Sequence, residues 1–98
     1  MSDVHDMSDR DIDALIDAEV MCVVPRPPEA APHYTTDATQ TERVIERMAE
    51  MGYVFSRNGT PERWYCGFQS TKRAAYAVCC AVGRAVCEAA LLAVRGVA

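Results

Sequence analysis

Val82-Gly83-Arg84-Ala85-Val86-Cys87-Glu88-Ala89-Ala90-Leu91-Leu92-Ala93-Val94-Arg95 is the stretch that decides the fold. Its only charged residues, Arg84, Glu88 and Arg95, are spaced four and seven apart, which places them on one narrow stripe of a helix. The rest of the circumference is apolar. A helix of this kind needs a sheet or other helices laid against most of its surface.

Working outward, residues 53–80 before it read as a meander. Residues 53–56 have strand character, residues 57–62 (Arg-Asn-Gly-Thr-Pro-Glu) are predicted to form a hairpin loop built on Asn58-Gly59, and residues 63–69 alternate. Trp64, Cys66 and Phe68 fall on one face of that second strand, with Arg63, Tyr65 and Gln69 on the other. Residues 70–73 turn the chain. Residues 74–80 are ambiguous: their alanines favour helix, while Tyr76, Val78 and the position in a meander favour a third strand. The strand is the reading adopted.

Upstream, two amphipathic helices precede the meander. The first has Ser8 as N-cap, Asp11 three positions into it, and Met7 placed to staple onto Ile12. Ile12, Leu15, Ile16 and Val20 form its apolar stripe, and it ends by Cys22. The second opens at Thr35, Thr36 or Asp37, buries Thr41, Val44, Ile45, Met48 and Met51, and stops at Gly52. Between them, residues 23–32 hold four prolines and are predicted to be a stiff linker. Residues 1–7, with a repeated Met-Ser-Asp, are predicted to be a flexible extension, leaving residues 8–98 as one domain. The predicted class is α+β: a three-stranded antiparallel sheet packed with helices, in the order α-α-β-β-β-α.

Three stretches together resemble the phage ABA sandwich domain family, small proteins of phage and prophage genomes. They are residues 8–15 (Ser-Asp-Arg-Asp-Ile-Asp-Ala-Leu) running to Val20-Met21, residues 32–37 (Pro-His-Tyr-Thr-Thr-Asp) with residues 44–48 after them, and residues 85–94. The resemblance implies an α/β/α layered fold and a phage or prophage origin, with no catalytic residues to transfer. Two departures stand out. Cys22-Val23 replaces the family's Gly-Trp, and Cys80-Ala81 replaces an Asp-Thr cap, so the last helix is predicted to be poorly capped and to begin between Ala81 and Arg84.

Composition narrows the function classes. Half of the 98 residues are hydrophobic and 24% are charged, an ordinary globular balance. No apolar run reaches the roughly 20 residues that cross a bilayer, and the acidic start lacks the plan of a signal peptide. The expectation is a cytoplasmic protein whose five cysteines stay reduced. No Cys-x-x-Cys occurs and the two histidines lie far apart, so zinc-finger spacing is absent and the cysteines read as packing residues. No metal, no cofactor and no catalytic residue is predicted; a Cys66–His33 pair has no local support.

The net charge of -4 is uneven: residues 1–19 hold seven acids against Arg10, whereas residues 20–98 hold seven acids and nine bases. The first-helix acids read as solvated. Asp9, Asp13, Asp17 and Glu19, with Glu42, Glu46 and Glu50 on the second helix, are therefore the predicted partner-binding surface. Given the phage resemblance, the reading is a non-enzymatic interaction protein that binds a host protein, in the manner of an anti-CRISPR inhibitor of bacterial defence. Two alternatives remain open. One is a nucleic-acid-binding domain of the α-β-β-β-α type using Arg57, Arg63, Lys72 and Arg73. The other is a structural or assembly protein that forms a homodimer.

Overall fold

The computed structural model describes residues 4–22 and 26–96. Helix α1 (Asp9–Leu15) runs on into a wider π turn (Ile16–Val20); α2 spans Ala38–Glu50, β1 Val54–Thr60, β2 Arg63–Gln69, β3 Ala74–Cys79 and α3 Val82–Arg95. The three strands form one antiparallel sheet in the order β1-β2-β3. The α+β class and the element order are as the sequence predicts, and the ambiguous third segment is a strand. No helix among the described residues is long and apolar enough to cross a membrane.

α3 lies at the centre. Its apolar side chains Val86, Cys87, Leu91 and Ala93 are buried, and so are Gly83, Ala85, Ala89 and Ala90. One side of the helix rests on β2 and β3, while α1, the π turn and α2 pack around the rest. Each large apolar side chain sealed here is worth about 1.5–3 kcal/mol. In β2 the alternation holds: Cys66 and Phe68 are fully buried towards α3, while Arg63, Tyr65 and Gln69 face away. The opposite sheet face carries Val54, Tyr65 and Tyr76, which are 71%, 45% and 44% exposed. The layering is thus sheet, central helix, outer helices, and differs from the helices-on-both-faces plan that the family resemblance implies. Tyr65 and Tyr76 cover each other instead, with ring centroids 5.5 Å apart.

The hairpin differs from its prediction. β1 continues through Asn58 and Gly59, which pair with Tyr65 and Trp64, and the turn falls at residues 61–62. Gly59 has φ +129°, a conformation other residues rarely adopt, and a Cβ there would run into the Arg63 carbonyl oxygen. The glycine thus serves close strand approach, not the turn itself.

The N-terminal extension is also a correction where it is described. Residues 4–6 form a 3-10 turn and Val4 is buried; residues 1–3 lie outside the described residues. Of the predicted linker, residues 23–25 lie outside as well, but residues 26–32 are an integral part of the domain. Arg26 grips Asp17 through two hydrogen bonds of 2.6 and 2.8 Å, the Ala31 carbonyl accepts from Arg10, and Ala31 is buried.

Asp17 shows what this lacing does. The Arg26 hydrogen bond and the Tyr34 hydroxyl (2.8 Å) hold its carboxyl below the usual range against the opposing effect of burial. Burial, then the bond to Asp17, pushes the Tyr34 hydroxyl up to about 12. A native value below the unfolded one stabilises the fold above the unfolded carboxylate pKa of about 3.9, and that contribution is lost as pH falls through the native value. Asp17→Asn should therefore cost about 1–2 kcal/mol in urea denaturation at pH 7. The deficit should narrow as the pH drops below about 4. A deficit unchanged at pH 3 would assign the loss to packing instead of charge.

Candidate functional site

The polar stripe of α3 is the place where the chain gathers its chemistry. Arg84 and Glu88, four residues apart, form an ion pair of 2.6 Å through Nε and Oε2. Far from being a solvated edge, the pair is roofed by the N-terminal segment. Arg84 Nη1 donates to Asp9 at 2.8 Å, and Nη2 donates to the carbonyls of Val4, His5 and Met7. The Glu88 side chain is only 4% exposed and accepts two further bonds: from His5 Nδ1 (3.1 Å) at Oε1 and from Cys79 Sγ (3.0 Å) at Oε2.

Three distant parts of the chain therefore meet at one carboxylate. β3 ends at Cys79, so its last inward side chain points at the first turns of α3. Burial alone would push the Glu88 carboxyl up, but the bonds from Cys79, Arg84 and His5 hold it below the usual range. Burial, then the hydrogen bond to Glu88 and its charge, pushes the Cys79 thiol up to about 12. Burial likewise raises Cys66 and Cys87. Thiols held protonated in this way are weak nucleophiles at neutral pH. His33 Nδ1 lies 3.1 Å from Arg10, and no hydrogen bond joins it to Cys66 among the described residues.

Most of the predicted acidic surface is engaged internally. Asp13 and Asp17, expected to be solvated, are buried. Asp13 accepts from Arg10 (2.8 Å) and from the Thr35 N–H (2.9 Å), and Asp17 is held by Arg26 and Tyr34. Asp9 pairs with Arg84, Glu19 with Arg95 at 2.7 Å, and Glu50 with Arg47 at 3.2 Å. Glu42 and Glu46 are exposed on α2 and have no ion-pair partner among the described residues. The acid-rich start and the base-rich remainder hold each other.

The basic residues do not form one surface. Arg57 and Arg63 sit at register positions of opposite parity, so they face opposite sides of the sheet. Arg57 lies over the Trp64 ring, 5.5 Å from its centroid, and lines a cleft of about 370 Å³ between α2 and the start of α3. Arg73 donates to the carbonyls of Ala93 and Val94, where it caps the C-terminal end of α3. Lys72 and Arg63 are exposed. The N-terminal end of α3 has Ala81 as its cap, with no side-chain hydrogen bond, as the sequence predicts.

No protein-family model and no curated protein sequence matches the chain. The fold is similar to that of a crystal structure of a phage protein from Bacillus cereus ATCC 14579, with a TM-score of 0.72. The likeness covers 87% of this chain and 90% of that one at 18% sequence identity. It is a likeness of fold to a phage protein, and no family model supports the narrower ABA sandwich resemblance.

Proposed function

We propose that the protein is a phage- or prophage-encoded interaction protein that works without catalysis, by binding a basic surface of a host protein through the outer face of α2. The observation that supports this reading most directly is the fate of the acids. Five of the seven candidates are held by guanidinium groups, which leaves Glu42 and Glu46 facing outward and available to a partner. The fold likeness to a phage protein supports the setting. A host surface built for nucleic-acid phosphates offers the complementary charge, and a component of a bacterial defence system, bound in the anti-CRISPR manner, is the specific form of the proposal. The cytoplasm of the host cell is where such a partner resides.

Reversing both residues tests it. Glu42→Lys with Glu46→Lys should leave stability within about 0.5 kcal/mol, because exposed like charges four apart on a helix only repel. In a pull-down from host lysate, a protein retained by the wild type should be lost with the doubly reversed variant. Retention of the same proteins by both would reject this surface.

A second reading has its own observation. The bare sheet face, with Val54, Tyr65 and Tyr76, is apolar enough to meet another copy, which is the arrangement of a dimeric assembly protein. Light scattering of the purified protein separates the two readings. The nucleic-acid alternative keeps fewer residues, because Arg73 is spent on α3 and Arg57 and Arg63 face apart.

A further inference from the structure

We propose that His5, Cys79 and Glu88 form a binding site for one divalent transition-metal ion of the zinc type. The inference does not depend on what the α2 surface binds. One ligand atom from each residue, the His5 ring nitrogen, Cys79 Sγ and a Glu88 carboxylate oxygen, lies within 4.8 Å of the others. Zinc bonds of about 2.0–2.3 Å to nitrogen, oxygen and sulfur place the ligands of one tetrahedron roughly 3.3–3.5 Å apart. His5 Nδ1 lies 3.1 Å from Glu88 Oε1 and Cys79 Sγ 3.0 Å from Glu88 Oε2, so the carboxylate already stands between the other two groups and a small adjustment brings all three to that spacing.

The donor set selects the metal class. One thiolate, one imidazole and one carboxylate suit zinc and its neighbours, whereas calcium and magnesium require a shell made mostly of oxygens. Glu88 and Cys79 are buried, while the His5 side chain is 67% exposed, so an ion has a way in and a solvent-facing fourth position for water. Arg84 bonds Glu88 Oε2 and Asp9 and so fixes the carboxylate between Cys79, on the Oε2 side, and His5, on the Oε1 side.

Charge closes as well. With Cys79 as thiolate, Cys79, Glu88 and Asp9 supply three negative charges, against Arg84 and a divalent ion. Binding replaces the S–H proton by the metal, so each ion taken up releases one proton to solvent. Neutral His5 offers its Nδ1 lone pair by carrying its proton on Nε2. Affinity therefore falls as pH is lowered.

The chain spacing of the three residues, at positions 5, 79 and 88, matches no sequence motif for metal binding. Only the fold brings them together. A metal here would staple the N-terminal segment to the junction of β3 and α3.

Cobalt(II) titration of the full-length protein under reducing conditions is the test, in a background in which the two exposed thiols are removed by Cys22→Ser and Cys80→Ser. The expected result is one equivalent bound, with visible bands of a tetrahedral ion and a near-ultraviolet thiolate-to-cobalt band. Cys79→Ser should abolish the near-ultraviolet band. His5→Ala, a change at an exposed position that leaves the fold intact, should weaken binding by about tenfold or more. Absence of the thiolate band at millimolar cobalt, or a band that survives unchanged in either variant, overturns the site and leaves a hydrogen-bonded cluster only.

Discussion

Glu88→Ala should cost about 3–5 kcal/mol of folding stability, measured by urea denaturation at pH 7 with a chelator present. The magnitude follows from what the carboxylate leaves behind. Arg84, whose side chain is 14% exposed, would keep its positive charge with only Asp9, itself half in water, and a few carbonyls to answer it. The Cys79 thiol and the His5 ring would also lose their acceptor. Glu88→Gln keeps the shape and one acceptor oxygen, and should cost about 1–3 kcal/mol. Because the native carboxyl titrates below its unfolded value, its contribution is complete above the unfolded pKa of about 4.3 and is lost as pH falls through the native value. The gap between wild type and Glu88→Gln should therefore close in acid. A loss under about 1 kcal/mol for the alanine variant would show that the N-terminal segment is not held through this residue.

Gly83→Ala should destabilise the protein by about 2–3 kcal/mol, although the same change at an exposed helical site gains about 0.8–1 kcal/mol. A Cβ at Gly83 would collide with the Thr35 carbonyl oxygen and stand 2.9 Å from its carbon and 3.0 Å from Thr41 Oγ1. None of these atoms can step aside cheaply. The Thr35 N–H is tied to Asp13 at 2.9 Å, and the Thr41 hydroxyl is tied to the Tyr34 carbonyl at 2.6 Å. Gly67→Ala is the control. There a Cβ meets the ring of Tyr76, a half-exposed side chain that can swing outward, so a smaller loss is expected. Thermal melts that rank Gly67→Ala as the worse of the two would contradict the packing described for the start of α3.

The parts of the fold that sequence reveals are those whose cause is local. α3 is legible because its apolar circumference admits no surface position. Ser8 is legible as a cap and Asp37 as one of three candidates with Thr35 and Thr36; Ser8 and Asp37 each accept a backbone N–H, from Asp11 and Thr39. The hairpin turn falls away from Asn58-Gly59 because Asn-Gly is only a local turn signal, while the register is set by Trp64, Cys66 and Phe68 meeting the core. Asp13 and Asp17 read as solvent-facing because their distant partners, Arg26 in the proline-rich stretch and Tyr34 and the Thr35 N–H just after it, lie in segments with no periodicity. The hint in the sequence is their wheel position, on the Val20 side of the Ile12–Ile16–Val20 stripe. Nothing local could have joined His5 to Cys79 and Glu88, since that cluster exists only after the whole topology has closed.

α3 is the hub on which the other elements pack, and it is also the last of them in chain order. During translation the two earlier helices and the meander leave the ribosome with their greasy sides facing no mate. The core cannot close until α3 appears, because the sheet and the two earlier helices pack on it. A chain halted before α3 would keep those sides bare and be a ready substrate for proteolysis.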